Sequence, residues 1–310
     1  MRDLARGIYW AIALTAILMA GDVLMQRGHY GITLFIMLPA LLGCAFINAV
    51  PRQTALGAAG LGAAFAGLAT FALLFMGLEG LICVAMALPI TVPIGALGGW
   101  IAFRGSRYSP GSRSGIAVML VLQPFSLAWD LTKPSPLFDV HSAIEISASP
   151  EVVWKNVVSF SHLPEPTEWL FKTGLAYPKR ARITGSGPGA IRYCEFSTGP
   201  FVEPIEVWDE PRLLQFRVTE NPAPMQEWSP YGSVTPKHLH GYMISKKGQF
   251  QLTRLPGNRT RLEGTTWYQH GLLPAQYWRL WSDAIIHRIH LRVLNHIRTL
   301  SEQPTLQSAR

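Results

Sequence analysis

The stretch Ile144-Glu-Ile-Ser-Ala-Ser-Pro-Glu-Val-Val-Trp154 passes from strand to helix within a few residues. Residues 140–146 alternate in the manner of a half-buried strand. Ser149 then stands as an N-cap, Pro150 as a first-turn proline and Glu151 as an acid at the positive end of a helix that continues to about residue 158. A strand that feeds directly into a short helix opens a domain of mixed secondary structure.

Downstream of this opening the chain is strand-rich. A broken helical stretch at residues 165–172 precedes strands predicted at 180–184, 190–198, 202–209, 213–220, 242–255 and 259–269. The intervening turns read Gly185-Ser-Gly-Pro-Gly189, Asp209-Glu-Pro211 and Pro256-Gly-Asn258. Leu214, Phe216 and Val218 share one strand face and Gln215, Arg217 and Thr219 the other, which describes an antiparallel sheet with one buried side. The last element is a long helix, about residues 274–300, with an apolar stripe of Trp278, Trp281, Ile285, Ile289, Val293 and Ile297. One helix covers only part of such a sheet. The expected result is an α+β helix-grip domain, a curved antiparallel sheet around a long C-terminal helix with space left between them.

Upstream, the chemistry changes. Of the 46 charged residues in the 310-residue chain, only 12 fall in residues 1–133, which excludes a single soluble globule. The Asp130-Leu-Thr-Lys-Pro-Ser-Pro136 segment forms a stiff linker, so the expected division is a transmembrane helical domain over 1–129, a linker over 130–139, the mixed domain over 140–303 and a tail over 304–310. Uncharged runs of 24, 26 and 24 residues separate Arg27, Arg52, Glu79 and Arg104, and a further apolar run covers about residues 8–24. Each is long enough for a helix to cross a hydrocarbon core. A fifth segment, 114–129, has 16 uncharged residues and contains Gln123-Pro124, so it crosses as a short kinked helix, re-enters, or lies in the interface. The expected bundle therefore has four or five helices. With the N-terminus inside, Arg2, Arg6, Arg52, Arg104, Arg107 and Arg113 lie on the cytoplasmic side, against Arg27 and Lys133 outside. Five spans then place the C-terminal domain outside; four place it in the cytoplasm. We read five spans and an external domain.

The net charge of +8 is split evenly between the halves without a basic run, so nucleic acid is not an expected partner. Three cysteines, with Cys44 and Cys83 inside apolar runs, exclude a secreted disulfide scaffold. The small residues from Gly57 to Gly67 fit close helix packing within the bundle or a homodimer seam. Asp22, beside Gly21, reads as a solvated helix end or as an ion or proton relay.

The opening segment 144–154, together with Phe196-Ser-Thr-Gly-Pro-Phe201, Gly264-Thr-Thr-Trp-Tyr268 and the closing helix from Tyr277-Trp278 to Ile297, resembles the SRPBCC superfamily. This START-like helix-grip fold includes polyketide cyclase/dehydrase-like and lipid-transfer proteins, and the likeness covers about residues 140–303 in the manner of a bacterial subgroup fused to membrane helices. It implies a deep cavity for a hydrophobic ligand such as a lipid, sterol or polyketide-like molecule, and a multi-pass protein of the bacterial inner membrane. It does not fix a function, because carriers, sensors and enzymes share that cavity.

For that cavity the candidate lining residues are Arg192, Phe196, Phe216, Trp228, Tyr231, Trp267, Tyr268, Tyr277, Trp281, Ile285 and Ile289. The proline-rich stretch 221–240 is either a lid or ordered packing over the sheet edge, and Trp228 and Tyr231 on it suit a headgroup layer. The acids Glu195, Glu203, Glu206, Glu227, Glu263 and Asp283 serve as proton-transfer groups if they face inward, or pair with Arg192, Arg261 or Arg288 on the rim. Glu195, Glu263, Asp283 and His287 are the catalytic candidates of an enzymatic reading, in which Asp283 one turn before His287 orients its imidazole. His287 and His290 form an i, i+3 pair, with His238, His240 and His270 elsewhere. Helix packing accounts for the pair, and neither a metal nor a cofactor is expected. The expected partners are the bilayer and a hydrophobic small molecule. Two functions follow, a membrane-tethered carrier of a hydrophobic ligand and a cyclase- or dehydratase-like lyase; a ligand sensor is a third.

Overall fold

In the computed structural model, residues 2–50, 54–108 and 114–303 are described. Arg52 and Arg113 of the orientation count, and the expected tail at 304–310, lie outside the described residues. The chain divides into two compact units. The first combines Met1–Ser135 with Glu227–Leu239 and Gly271–Tyr277; the second combines Pro136–Gln226, His240–His270 and Trp278–Arg310. Two short pieces of the expected C-terminal domain thus belong with the helices.

The helical unit contains α1 (Arg2–Gln26), a π-helical turn (Thr33–Met37) that runs directly into α2 (Leu38–Ala49), α3 (Ala55–Phe75), α4 (Leu81–Tyr108) and α5 (Ser114–Thr132). Thr54 caps α3 by accepting the Gly57 N–H at 3.0 Å. The π-turn lies just ahead of Pro39, whose missing N–H already removes one α-helical bond. Four helices are long and apolar enough to cross a membrane: Gly7–Gln26, Ala55–Phe75, Leu81–Arg107 and Gly115–Thr132. The segment expected to be uncertain is therefore a full-length helix, whereas the second apolar run, Thr33–Ala49, is the short one. Its length is set by the 27–31 turn ahead of it and by Val50, extended at ψ 122°.

Small residues let the helices touch. A Cβ on Gly62 would meet the Gly95 carbonyl at 2.4 Å, one on Gly99 the Ala58 carbonyl at 2.3 Å, and one on Gly95 the Ala66 methyl at 2.3 Å. The Ala58–Gly62–Ala66 face of α3 is thereby occupied by α4. Met119 and Ile116 near the start of α5 pack with Cys44 and Ile47 near the end of α2. At the other end, Asp130 accepts the Ile32 and Thr33 N–H groups at 2.8 and 2.9 Å. α5 thus runs antiparallel to α2 along its full length, and its terminal carboxylate neutralises the positive start of that helix. Only glycine fits at position 31, where a Cβ would lie 2.1 Å from the carboxyl carbon.

In the second unit, seven antiparallel strands pair in the order β1-β9-β8-β5-β4-β3-β2. They are β1 (Leu137–Ile146), β2 (Pro178–Thr184), β3 (Ile191–Phe196), β4 (Gly199–Asp209), β5 (Leu213–Arg217), β8 (Met243–Leu255) and β9 (Arg259–His270). The two strands missing from that order, β6 (Glu227–Ser229) and β7 (Gly232–Val234), form a separate hairpin in the helical unit. Short helices α6 (Pro150–Val158) and α7 (Trp169–Lys172) precede β2, and α8 (Ala275–Glu302) closes the chain. Ser149 and Pro150 occupy the expected capping positions, and the Ser149 carbonyl accepts from Val152 and Val153.

The strand-to-helix stretch supplies the core. Ile146, Val153, Trp154 and Val157 are buried with Leu214, Leu262, Leu294 and Ile297, and Trp154 meets Trp208 edge-on at 5.6 Å. α8 buries Ile286, Val293, Leu294 and Ile297 against the sheet, while Ile285 and Ile289, one position round the helix, stay partly exposed. That offset is what leaves room beside the helix. The fold of this unit is a helix-grip domain, and it follows an N-terminal helical bundle as the sequence predicts.

Candidate functional site: an apolar cavity with a buried ion pair

Between the inner face of the sheet and α8 lies a cavity of about 150 Å³, wholly within the second unit. Its walls are apolar. Phe196, Phe201, Phe216 and Phe250 come from four strands, Ile285, Ile289 and Val293 from α8, and residues 221–225 form a third side. Gly248 lines it as well, because a Cβ there would lie 2.5 Å from the Phe216 ring. Glycine on β8 makes room for that ring.

Into this lining project Arg192 from β3 and Glu203 from β4, directly opposite each other in the strand register. Arg192 is 1% exposed and Glu203 6%. Nη1 of Arg192 donates to Oε2 of Glu203, and its Nε donates to the Val158 carbonyl at 3.3 Å. The guanidinium carbon lies 5.6, 5.5 and 5.5 Å from the ring centres of Phe160, Phe216 and Phe250. An aromatic cage of this kind holds a weakly hydrated guanidinium well. Nη2 of Arg192, however, is buried and has no hydrogen-bond partner. Such a donor is costly to leave unused, which makes it a handle for a ligand oxygen. Burial pushes the Glu203 carboxyl up, and the adjacent Arg192 pulls it back.

His290 of α8 is the other titratable group of note on the wall. Its Nε2 lies 2.8 Å from Thr266 Oγ1 and its Nδ1 3.1 Å from Ser142 Oγ. Burial, and then His287 and His141, pull its imidazole down to about 4, so it is neutral at physiological pH. Burial also pushes the Cys194 thiol up to about 12, and it lines the cavity as a neutral group.

Of the expected lining residues, Arg192, Phe196, Phe216, Ile285 and Ile289 are on the wall. The other six are not. Trp228 and Tyr231 sit on the β6–β7 hairpin, 54% and 75% exposed, in the helical unit. Tyr277 also belongs there, and its hydroxyl donates to the Met86 carbonyl. Tyr268 donates to Asp283 at 2.6 Å, Trp267 lies under the Lys247 ammonium at 5.3 Å, and Trp281 is half-buried on α8 away from the lining.

None of the four catalytic candidates reaches the cavity. Glu195 is clasped by Arg180 and Arg182, which hold its carboxyl below the usual range. Glu263 pairs with Arg261 at 3.2 Å, Asp283 accepts from Tyr268 and Arg279, and the exposed His287 meets Ser142 Oγ at 2.7 Å. Each has a partner that accounts for its position. The proline-rich stretch is divided: residues 221–225 line the cavity and Glu227–Leu239 packs with the helices.

No protein-family model matches the chain, and no curated protein matches it. Solved structures similar to it include truncated norcoclaurine synthase from Thalictrum flavum, with 12% identity over 56% of this chain and 99% of that one, at a TM-score of 0.36. The Zhui aromatase/cyclase from Streptomyces sp. R1128 is 14% identical over 56% of this chain and 100% of its own, with a TM-score of 0.35. The protein XoxI from Bacillus cereus is 16% identical over 53% and 96%, also at 0.35.

Proposed function

We propose that the chain is a membrane-tethered binding or transfer protein for a small hydrophobic ligand that carries a hydrogen-bond acceptor. The observation that carries this reading is the unused Nη2 donor of Arg192, buried in an otherwise apolar cavity. An apolar space of about 150 Å³ holds a benzene-sized group, so the ligand presents a single ring or the end of an acyl chain, with a carboxylate or carbonyl towards Arg192. Larger lipidic or polyketide-like molecules would insert one end.

Membrane insertion is supported by the apolar outer faces of the bundle, where Ile12, Leu68, Val121 and Phe125 are exposed. Trp129, Trp228 and Tyr231 are exposed in the same unit, and Tyr231 lies 3.6 Å from the Cβ position of Gly77 in the α3–α4 turn. Aromatic side chains at that end of the bundle suit a headgroup layer. α5 antiparallel to α2 favours five traverses of an inner membrane and a C-terminal domain outside. A C-terminal alkaline phosphatase fusion then gains activity, and a cytoplasmic reporter at the same site stays silent; the reverse pattern overturns the orientation.

Solvent extraction of the purified full chain, followed by mass spectrometry, tests the binding role. A retained apolar molecule bearing an oxygen acceptor is expected, and its loss from Arg192→Met/Glu203→Gln; an equal yield from both proteins contradicts the assignment. The enzymatic reading is favoured by one observation, that Glu203 and the neutral His290 both face the cavity. It requires turnover that His290→Gln abolishes.

A further inference from the structure

The helical unit contains a second buried polar cluster. Glu79 precedes α4, Cys83 lies in its first turn, and His238 sits in the 3₁₀ turn Lys237–Leu239. Each offers a donor atom within 4.8 Å of those of the other two. Two of these atoms, Oε2 of Glu79 and Nδ1 of His238, are buried without hydrogen-bond partners, and their residues are only 5% and 8% exposed. They face each other at 3.6 Å. That is too long for a hydrogen bond. It is close to the roughly 3.4 Å that separates a nitrogen and an oxygen ligand on one tetrahedral zinc.

The surroundings hold this arrangement in place. Tyr30 donates to the other Glu79 oxygen at 2.7 Å, and its ring meets the His238 imidazole at 4.8 Å. Supporting contacts of this sort orient metal ligands. Glu227 accepts the Ile82 and Cys83 N–H groups at 3.3 and 3.0 Å, fixing the first turn that carries Cys83. Gly80 makes this possible, since a Cβ there would lie 1.8 Å from the Glu227 carboxylate. Cys83 Sγ lies 2.8 Å from Nε2, the other ring nitrogen of His238, so an ion held by Nδ1 and Glu79 Oε2 takes the thiolate after side-chain rotation brings it round to the Nδ1 side.

We propose that Glu79, Cys83 and His238 form a binding site for a divalent transition-metal ion of the zinc class, which pins the hairpin segment Glu227–Leu239 to the start of α4. Thiolate, imidazole and carboxylate together select zinc-like ions over magnesium or calcium, which take oxygen donors. Three protein ligands leave the fourth position to water. A thiol–imidazole–carboxylate relay is the competing use of the same residues, but it needs a hydrogen bond from Nδ1 to the carboxylate, and the 3.6 Å gap does not provide one.

The test uses the full chain in detergent, purified without a histidine tag and equilibrated with zinc chloride or cobalt chloride alone. About one zinc per chain is expected, together with a thiolate-to-cobalt charge-transfer absorption that zinc displaces. Cys83→Ser removes the absorption, and Cys83→Ser and His238→Ala each weaken zinc binding at least tenfold with helix content unchanged by circular dichroism; His240→Ala, at a nearby exposed residue, has no effect. Where a variant does not fold, the wild-type cobalt spectrum decides alone. Wild-type chain that takes up no zinc and shows no cobalt–thiolate absorption, or folded variants that keep full occupancy, overturns the site.

Discussion

Arg192 on β3 and Glu203 on β4 stand opposite each other across the strand pair and are both buried, so the only ion pair on the cavity wall is cut off from water among the described residues. Removing one partner strands the other charge, at a cost of about 3–5 kcal/mol, whereas replacing both with neutral groups of similar size is close to neutral. Arg192→Met or Glu203→Leu alone should therefore lower the denaturation midpoint sharply, and the double substitution should restore most of it. Chemical denaturation of the full chain, followed by tryptophan fluorescence, checks this. A double variant as unstable as the worse single one contradicts it.

Acid sensitivity follows from His290. Its folded-state value of about 4 lies below the unfolded imidazole value near 6.5, so the unfolded chain binds the extra proton first. The stability that depends on neutral His290 is complete above about pH 6.5 and drains away as the pH falls towards 4, by up to about 3 kcal/mol. Melting temperature measured across that range should decline for the wild type and decline less for His290→Gln. Equal slopes in the two proteins would remove His290 as the cause.

Gly248→Ala places a methyl where the Phe216 ring lies, 2.5 Å from its nearest atom. The ring must move into the cavity, at a cost of about 1–3 kcal/mol for overpacking. Ligand affinity should fall while the fold persists, as read by equilibrium binding alongside circular dichroism. An unchanged affinity would show that Phe216 does not border the occupied space.

Asp130 caps the helix that begins at Thr33 through two backbone bonds. Asp130→Ala should cost about 1–2 kcal/mol, the upper range for loss of a cap. Gly31→Ala should cost at least as much, because its Cβ displaces the carboxylate. Thermal unfolding in detergent measures both, and a neutral Gly31→Ala would contradict the contact.

Much of this fold is legible in the sequence where one physical signal dominates. The apolar runs, the 144–154 strand-to-helix junction and the α8 stripe each follow from a single periodicity. The cavity ion pair was legible only in part. Arg192 and Glu203 stand among the groups expected to pair on the rim, but strands predicted at 190–198 and 202–209 put the turn after residue 198, whereas the chain turns between Phe196 and Gly199, which sets Arg192 against Glu203 and buries both. Aromatic abundance was the misleading signal. Trp228, Tyr231 and Tyr277 look like cavity walls by composition, yet they follow backbone that the Glu227 carboxylate and the Tyr277 hydroxyl fasten to α4. Contacts between Glu227 and Ile82 or Cys83 span about half the chain, and no local pattern encodes them.

The central claim is that the cavity binds an apolar group whose oxygen is read by Arg192. Isothermal titration of the full chain with benzoate and with toluene tests it most directly. Benzoate should bind more tightly, and Arg192→Met/Glu203→Gln should weaken benzoate about tenfold or more, the worth of a hydrogen bond to a charged group, while toluene affinity stays the same. If neither compound binds, or if the double substitution weakens both equally, the account is contradicted.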